Sequence, residues 1–153
     1  MPSTVTEQAP QSPVAQPSLV WRGERIAPNI CYEDLFGEEL AQSFADPATA
    51  PTLLLNLSNI AWFGDTVAID QHLQISRMRT LELARPMLRA TNTGATAIIN
   101  ARGEVTHRLP SGVQAVLTAS VQGVDGPVTP YACWAAAWGL WPLVALCLGV
   151  FAV

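Results

Sequence analysis

Short apolar runs broken by turn-forming residues alternate along this chain with one long stretch of helical spacing. Leu19-Val20-Trp21 and residues 25–30 flank Arg22-Gly23-Glu24, which predicts two short strands joined by a tight turn. The second strand ends at Cys31. Beyond it Glu33 and Asp34, then Glu38 and Glu39, put acidic groups into the opening turns of a predicted helix, where the peptide dipole favours them. Residues 45–51 read as a loop. Thr52-Leu53-Leu54-Leu55-Asn56-Leu57 is a continuous apolar run of the length of a strand buried on both faces, and it empties into Ser58-Asn59-Ile60-Ala61-Trp62-Phe63-Gly64. Over residues 67–84, Ile69, Leu73, Met78 and Leu81 share one helical stripe, and Pro86 ends or bends that helix. Residues 87–91, 95–99 and 104–109 are strand-like, with Asn92-Thr93-Gly94 and Asn100-Ala101-Arg102-Gly103 as turns. Residues 113–121 alternate well enough for a further strand. Strand and helix alternate first and strands then accumulate, so the expected class is an α/β layered domain.

The end of the chain departs from this rhythm. No charge follows Asp125, and residues 131–153 are uniformly apolar or small, enough at 1.5 Å per residue to predict one transmembrane helix. Its first half carries Tyr131, Trp134, Trp138 and Trp141, which favour the headgroup zone, and Pro142 is expected to kink it mildly. This segment lowers the charged fraction to 13% and lifts the mean hydropathy to +0.26. Residues 1–18 hold four prolines among small polar side chains and read as a disordered tether without the basic start and apolar core of a secretion signal. The expected organisation is therefore a segment at 1–18, a domain at 19–125 and a membrane helix at 131–153, within a length of 153 residues that suits one domain.

A net charge of −4 gives no basic surface for phosphates, which argues against nucleic acid as a partner. The cysteines at 31, 133 and 147 form no CxxC pair, and His72 and His107 lack further ligands at a metal-binding spacing, so neither a disulfide framework nor a metal is expected. The chemistry concentrates at Cys31. A thiol at a strand-to-helix junction faces unpaired N–H groups that favour a thiolate nucleophile, although free cysteine is also among the most buried residue types. Glu33, two positions on, suits either the orienting of an amine or a proton-transfer partner, or the capping of a helix.

The run Ile26-Ala27-Pro28-Asn29-Ile30-Cys31-Tyr32-Glu33 resembles the nucleophile segment of the apolipoprotein N-acyltransferases, the membrane-bound branch of the nitrilase (carbon-nitrogen hydrolase) superfamily. Asn56-Leu57-Ser58-Asn59-Ile60-Ala61-Trp62-Phe63-Gly64, Gln71-His72-Leu73-Gln74-Ile75-Ser76-Arg77-Met78-Arg79, Glu82-Leu83-Ala84-Arg85-Pro86 and Arg89-Ala90-Thr91-Asn92-Thr93-Gly94 follow in the same order, with Gly126-Pro127-Val128-Thr129-Pro130-Tyr131 before the apolar end. The resemblance implies part of an α-β-β-α sandwich and a Glu-Lys-Cys triad without a cofactor. A cysteine of that kind takes an acyl chain from phospholipid as a thioester and passes it to the α-amino group of a diacylglyceryl-cysteine. By position, Cys31 matches the nucleophile and Glu33 the acidic residue that the family needs beside it. Tyr32 matches the intervening position and is assigned to substrate binding, as are Trp62 and Phe63, which match a loop near the acyl or lipoprotein entrance and have ordinary packing as their alternative. Arg77, Glu82 and Arg85 are expected to be scaffold ion pairs. The location implied is the bacterial inner membrane, with the domain on the periplasmic side.

The chain contains no lysine, and Glu7 and Glu24 are its sole acids before Cys31. It is therefore read as the C-terminal part of such an enzyme, working with a missing N-terminal half that supplies the base and the lysine. The competing readings are a catalytically inactive, membrane-tethered binding module that keeps an acyl-chain groove, and a soluble nitrilase-type amidase.

Overall fold

The computed structural model describes residues 17–64 and 66–151, Phe63 through its backbone only. The tether expected at 1–18 lies almost wholly outside the described residues. Strand β1 (Leu19–Trp21) pairs antiparallel with β2 (Glu24–Ile30) through a turn in which Arg22 and Gly23 have φ of 51° and 85°. From β2 the chain crosses over to β3 (Leu53–Ser58) and then to β4 (Met87–Thr91), both parallel additions, before β5 (Ala97–Ile99) and β6 (Val105–Arg108) complete the sheet as antiparallel strands. Strand order follows chain order across this mixed six-stranded sheet. The expected α/β class is the one that forms.

The two faces of the sheet differ. Cross-strand register aligns Ala27, Leu54, Met87 and Ile99 in one row, and all four are buried beneath helices. Helix α2 (Ala68–Leu83) covers them with Ile69, Leu73 and Leu83, while Phe44 and the alanines of the last helical layer close the cluster. Apolar burial of this kind contributes about 25 cal/mol per Å². On the other face Ile30 and Leu57 remain 47% and 43% exposed. A mixed sheet with its helices packed on one face is thus formed.

Several sequence-based expectations change here. The helix predicted after Cys31 is instead a 3-10 turn (Cys31–Leu35), then α1 (Gly37–Ala41), broken at Phe36. Phe36 departs from helical backbone there, with φ −97° and ψ 82°, and Gly37 lets the next turn pack closely, because a Cβ there would lie 2.6 Å from the Tyr131 hydroxyl. In α2 the buried stripe is Ile69, His72, Leu73, Ser76, Thr80 and Leu83, whereas Met78 and Leu81 face outward at 41% and 50% exposure. Residues 113–121 form no strand. Alternation alone cannot make one without a partner edge, and the backbone bonds flanking this stretch run from Leu109 N–H to Thr96 and from Val124 N–H to Thr52.

The apolar end is also reorganised. Helices α3 (Pro130–Trp138) and α4 (Trp141–Phe151) meet at an 81° bend, so no single helix among the described residues is long and apolar enough to cross a membrane. Only the bent pair together reaches the required length and composition. Gly139 turns the chain with φ 54°, and Pro142 lacks the N–H that a continuous helix needs. Helix α3 belongs to the domain, since Ala132 and Ala135 are buried in the core, and Thr129 caps it by accepting from Ala132 N–H at 3.1 Å. Helix α4 has no buried residue. The expected ion pairs resolve differently as well: Glu82 pairs with Arg79 at 3.1 Å, Arg77 binds the Gly103 carbonyl and Arg85 the Pro51 and Gly126 carbonyls.

Replacing Leu54 by alanine is expected to cost about 2–5 kcal/mol in urea denaturation, and Leu57→Ala on the open face less than about 1 kcal/mol. Burial, opposed by Arg79, raises the Glu82 carboxyl above 4.5. A raised folded-state value means that ionisation of Glu82 destabilises the fold progressively as pH rises through that range. The melting temperature of Glu82→Gln minus that of the parent should accordingly grow with pH from about 4.5 upward.

Candidate active site around Cys31

Strand β2 delivers Cys31 to the helix side of the sheet edge, and the chain turns there with φ 52°. An L-residue in that left-handed region costs about 1–2 kcal/mol, so the neighbours must hold it. Asn56 Nδ2 donates to the Cys31 carbonyl at 3.0 Å, and the Glu33 carboxylate accepts from Ile30 N–H at 2.6 Å, closing the turn on the strand that precedes it. Asp34, the next residue, is fully buried. The capping role read for Glu33 is therefore present in the structure.

Cys31 is half-buried. Register between Ile30 and Leu57 brings the end of β3 beside it, where Ser58 Oγ donates to Sγ at 3.6 Å and Sγ lies 3.7 Å from the Asn59 carbonyl. Asn59 begins the loop to the 3-10 turn Ala61–Phe63, and its Oδ1 accepts from Ala61 N–H at 3.1 Å. Trp62 on this turn is 79% exposed; the side chain of Phe63 lies outside the described residues. Cys31, Tyr32 and Glu33 thus share one turn with the Asn59–Trp62 loop adjoining it. The field of a long helix following Cys31 is replaced by that of two short turns.

Beneath the turn lies a polar cluster that the sequence pattern did not single out. Asp34 Oδ1 meets His72 Nε2 at 2.9 Å, and Asp34 Oδ2 accepts from Ser76 Oγ at 2.5 Å and from Arg89 NH1 at 3.4 Å. Arg89 also donates to Ser76 Oγ and, through NH2, to His72 Nδ1 at 2.7 Å. All four side chains are buried, and burial pulls the Arg89 guanidinium below its ordinary value while Asp34 and Cys31 oppose the shift. A buried charge of this kind persists only when paired and hydrogen-bonded. One strand row contains Asn29, Asn56 and Arg89 side by side, with Asn56 Nδ2 donating to Asn29 Oδ1 at 2.6 Å. The available signal was the polar spacing His72, Ser76, Thr80 on an otherwise inward face, together with a lone arginine in strand β4.

Among the described residues no group of three His, Cys, Asp or Glu side chains could hold a metal ion. The arrangement is suited to sulfur chemistry at a strand end: a reachable thiol, a hydroxyl donor to it, and a turn fixed from below.

Comparison with known proteins agrees with this geometry. A family model for carbon-nitrogen hydrolases matches residues 2–126. The apolipoprotein N-acyltransferase of Verminephrobacter eiseniae is 64% identical over 133 residues, covering 83% of this chain and 25% of that protein. Its counterpart in Ralstonia nicotianae is 59% identical over 116 residues, 76% of this chain and 22% of that one. The chain spans about a quarter of the length of the curated relatives it matches. Among solved structures, the carbon-nitrogen hydrolase from Helicobacter pylori G27 superposes with TM-score 0.52 at 10% identity, covering 61% of this chain and 39% of that one, a likeness of fold alone. The fold, the cysteine at its strand end and the family match converge: the chain belongs to the carbon-nitrogen hydrolase family.

Proposed function

We propose that this chain is the nucleophile-bearing part of an apolipoprotein N-acyltransferase, with Cys31 as the acyl carrier. The observation that carries the reading is the half-buried Cys31, set in a left-handed turn with the Ser58 hydroxyl 3.6 Å from its sulfur. The substrate classes come from relatives of that name at up to 64% identity. In the first half-reaction the Cys31 thiolate attacks the ester carbonyl of a phospholipid. The C–O bond breaks, the lysophospholipid oxygen takes a proton, and a thioester remains on sulfur. In the second, the α-amino nitrogen of a diacylglyceryl-cysteine attacks the thioester carbonyl, an amide forms, and the thiol is regenerated.

Glu33 has two roles in this reading: its carboxylate closes the turn through Ile30 N–H, and its charge lies two residues from the sulfur to orient the incoming amine. Tyr32 on the nucleophile turn and the exposed Trp62 on the adjoining loop are assigned to the entrance for acyl chain or lipopeptide, the role that the resemblance also gives Phe63. The base and the oxyanion-stabilising lysine are supplied by the remainder of such an enzyme, as these 153 residues contain no lysine. Helix α4 and the bend beside it hold the domain on the periplasmic side of the bacterial inner membrane. Trp138 and Trp141, 64% and 75% exposed, flank the bend and suit the headgroup zone.

The assay is acyl transfer to a diacylated lipopeptide in phospholipid micelles, with the chain alone and with the remaining part of the Verminephrobacter eiseniae relative added. The chain alone should give no transfer and the mixture should give it, lost by about three powers of ten or more in Cys31→Ala. Transfer that survives Cys31→Ala defeats the reading. Glu33→Gln keeps an acceptor for Ile30 N–H but removes the charge, so transfer should fall about tenfold or more while stability stays within about 0.5 kcal/mol.

A further inference from the structure

His72 sits where the buried cluster meets the nucleophile turn. It is 4% exposed, and both ring nitrogens are engaged: Arg89 NH2 donates to Nδ1 at 2.7 Å, which leaves Nε2–H to donate to Asp34 Oδ1 at 2.9 Å. Bonds at both nitrogens set the tautomer and stop the ring from rotating. One face of the ring is then presented to Tyr32, whose ring stacks on it with centroids 5.2 Å apart and planes at 24°. Tyr32 and Asp34 are the residues on either side of Glu33 in the turn that starts at Cys31.

We propose that His72 is a positioning residue for Cys31, gripping the nucleophile turn at Tyr32 by stacking and at Asp34 by hydrogen bonding. The inference rests on the reading of Cys31 as the nucleophile. Its physical content is that a cysteine at φ 52° relaxes toward ordinary backbone unless the residues after it are held. Relaxation carries Sγ away from Ser58 Oγ, the hydroxyl that donates to it. Asp34 holds the turn from inside the domain, Tyr32 holds it from the surface, and His72 joins the two.

The test is site-resolved alkylation by iodoacetamide of the whole chain, read by mass spectrometry at Cys31 and, in the same sample, at the exposed Cys133. The variants are His72→Gln, which offers a donor and an acceptor but no ring, Tyr32→Leu, and the double substitution, each followed across pH. Each single change should slow Cys31 by about threefold or more relative to Cys133, and the double change should be no slower than the slower single. His72→Gln should also displace the Cys31 pH profile along the pH axis, which a uniformly loosened fold would not do. Multiplying effects, or an unchanged Cys31 profile in a folded His72→Gln, overturn the proposal. Where His72→Gln unfolds, both cysteines react fast and Tyr32→Leu decides: an unchanged Cys31 rate there overturns it. Alkylation needs neither phospholipid nor lipopeptide, so a negative transfer assay leaves this result standing, and the reverse also holds.

Discussion

The ion pair of Asp34 with Arg89, completed by His72 and Ser76, is the interaction on which the rest of this structure depends. Asp34 belongs to the turn after β2, His72 and Ser76 to α2, and Arg89 to β4, so one cluster ties the nucleophile turn to the helical layer and to the sheet. Charges taken out of water at this depth are costly unless each finds its counterpart, and removal of one partner strands the other. That asymmetry gives the cluster its specificity. Three separate elements must dock in one register or leave a buried charge exposed to apolar surroundings.

The remaining anchors serve the same geometry from the opposite end of the sheet. Arg85 and Arg25 collect carbonyls and a carboxylate from the segment before α3: Arg85 NH2 donates to Gly126 O at 2.8 Å, and Arg25 NH2 pairs with Asp125 at 2.8 Å. Glu24 accepts from Gly123 N–H at 3.1 Å. This strap returns the chain to the helical layer, so α3 packs by Ala132 and Ala135 against the core that supports the cysteine turn. Small side chains there allow close approach. Tyr131 reaches Gly37, and burial together with the nearby Glu82 carboxylate raises its phenol above the usual value. The apolar end of the chain is therefore in mechanical contact with the segment that follows Cys31.

The face of the sheet away from the helices is unevenly covered, for Leu53 and Ile98 are buried there at 5% and 8% exposure while the strand ends are open. Ile30 and Leu57, on paired strands and about half exposed, are residues of the kind that a second layer buries. A chain covering about a quarter of its relatives' length has one helical layer and one sheet of its own.

Local pattern determined much of this. The hairpin at Arg22-Gly23, the apolar strand over β3, the extent of α2, the stop at Pro86 and the position of Cys31 at a strand end all follow from periodicity and turn chemistry, which act within a few residues. What only the tertiary structure decided are matters of long-range pairing. Sequence spacing chose Met78 and Leu81 for the inner face of α2, but the buried charges of Asp34 and Arg89 pulled His72 and Ser76 inward instead. Residues 113–121 have a strand's alternation yet no edge to pair with, and the apolar stretch after residue 130 divides because its first half finds the core while Gly139 and Pro142 release the second. Hydropathy measures preference for leaving water; it does not say which surface is available to receive a segment, and that availability exists only once the chain has folded.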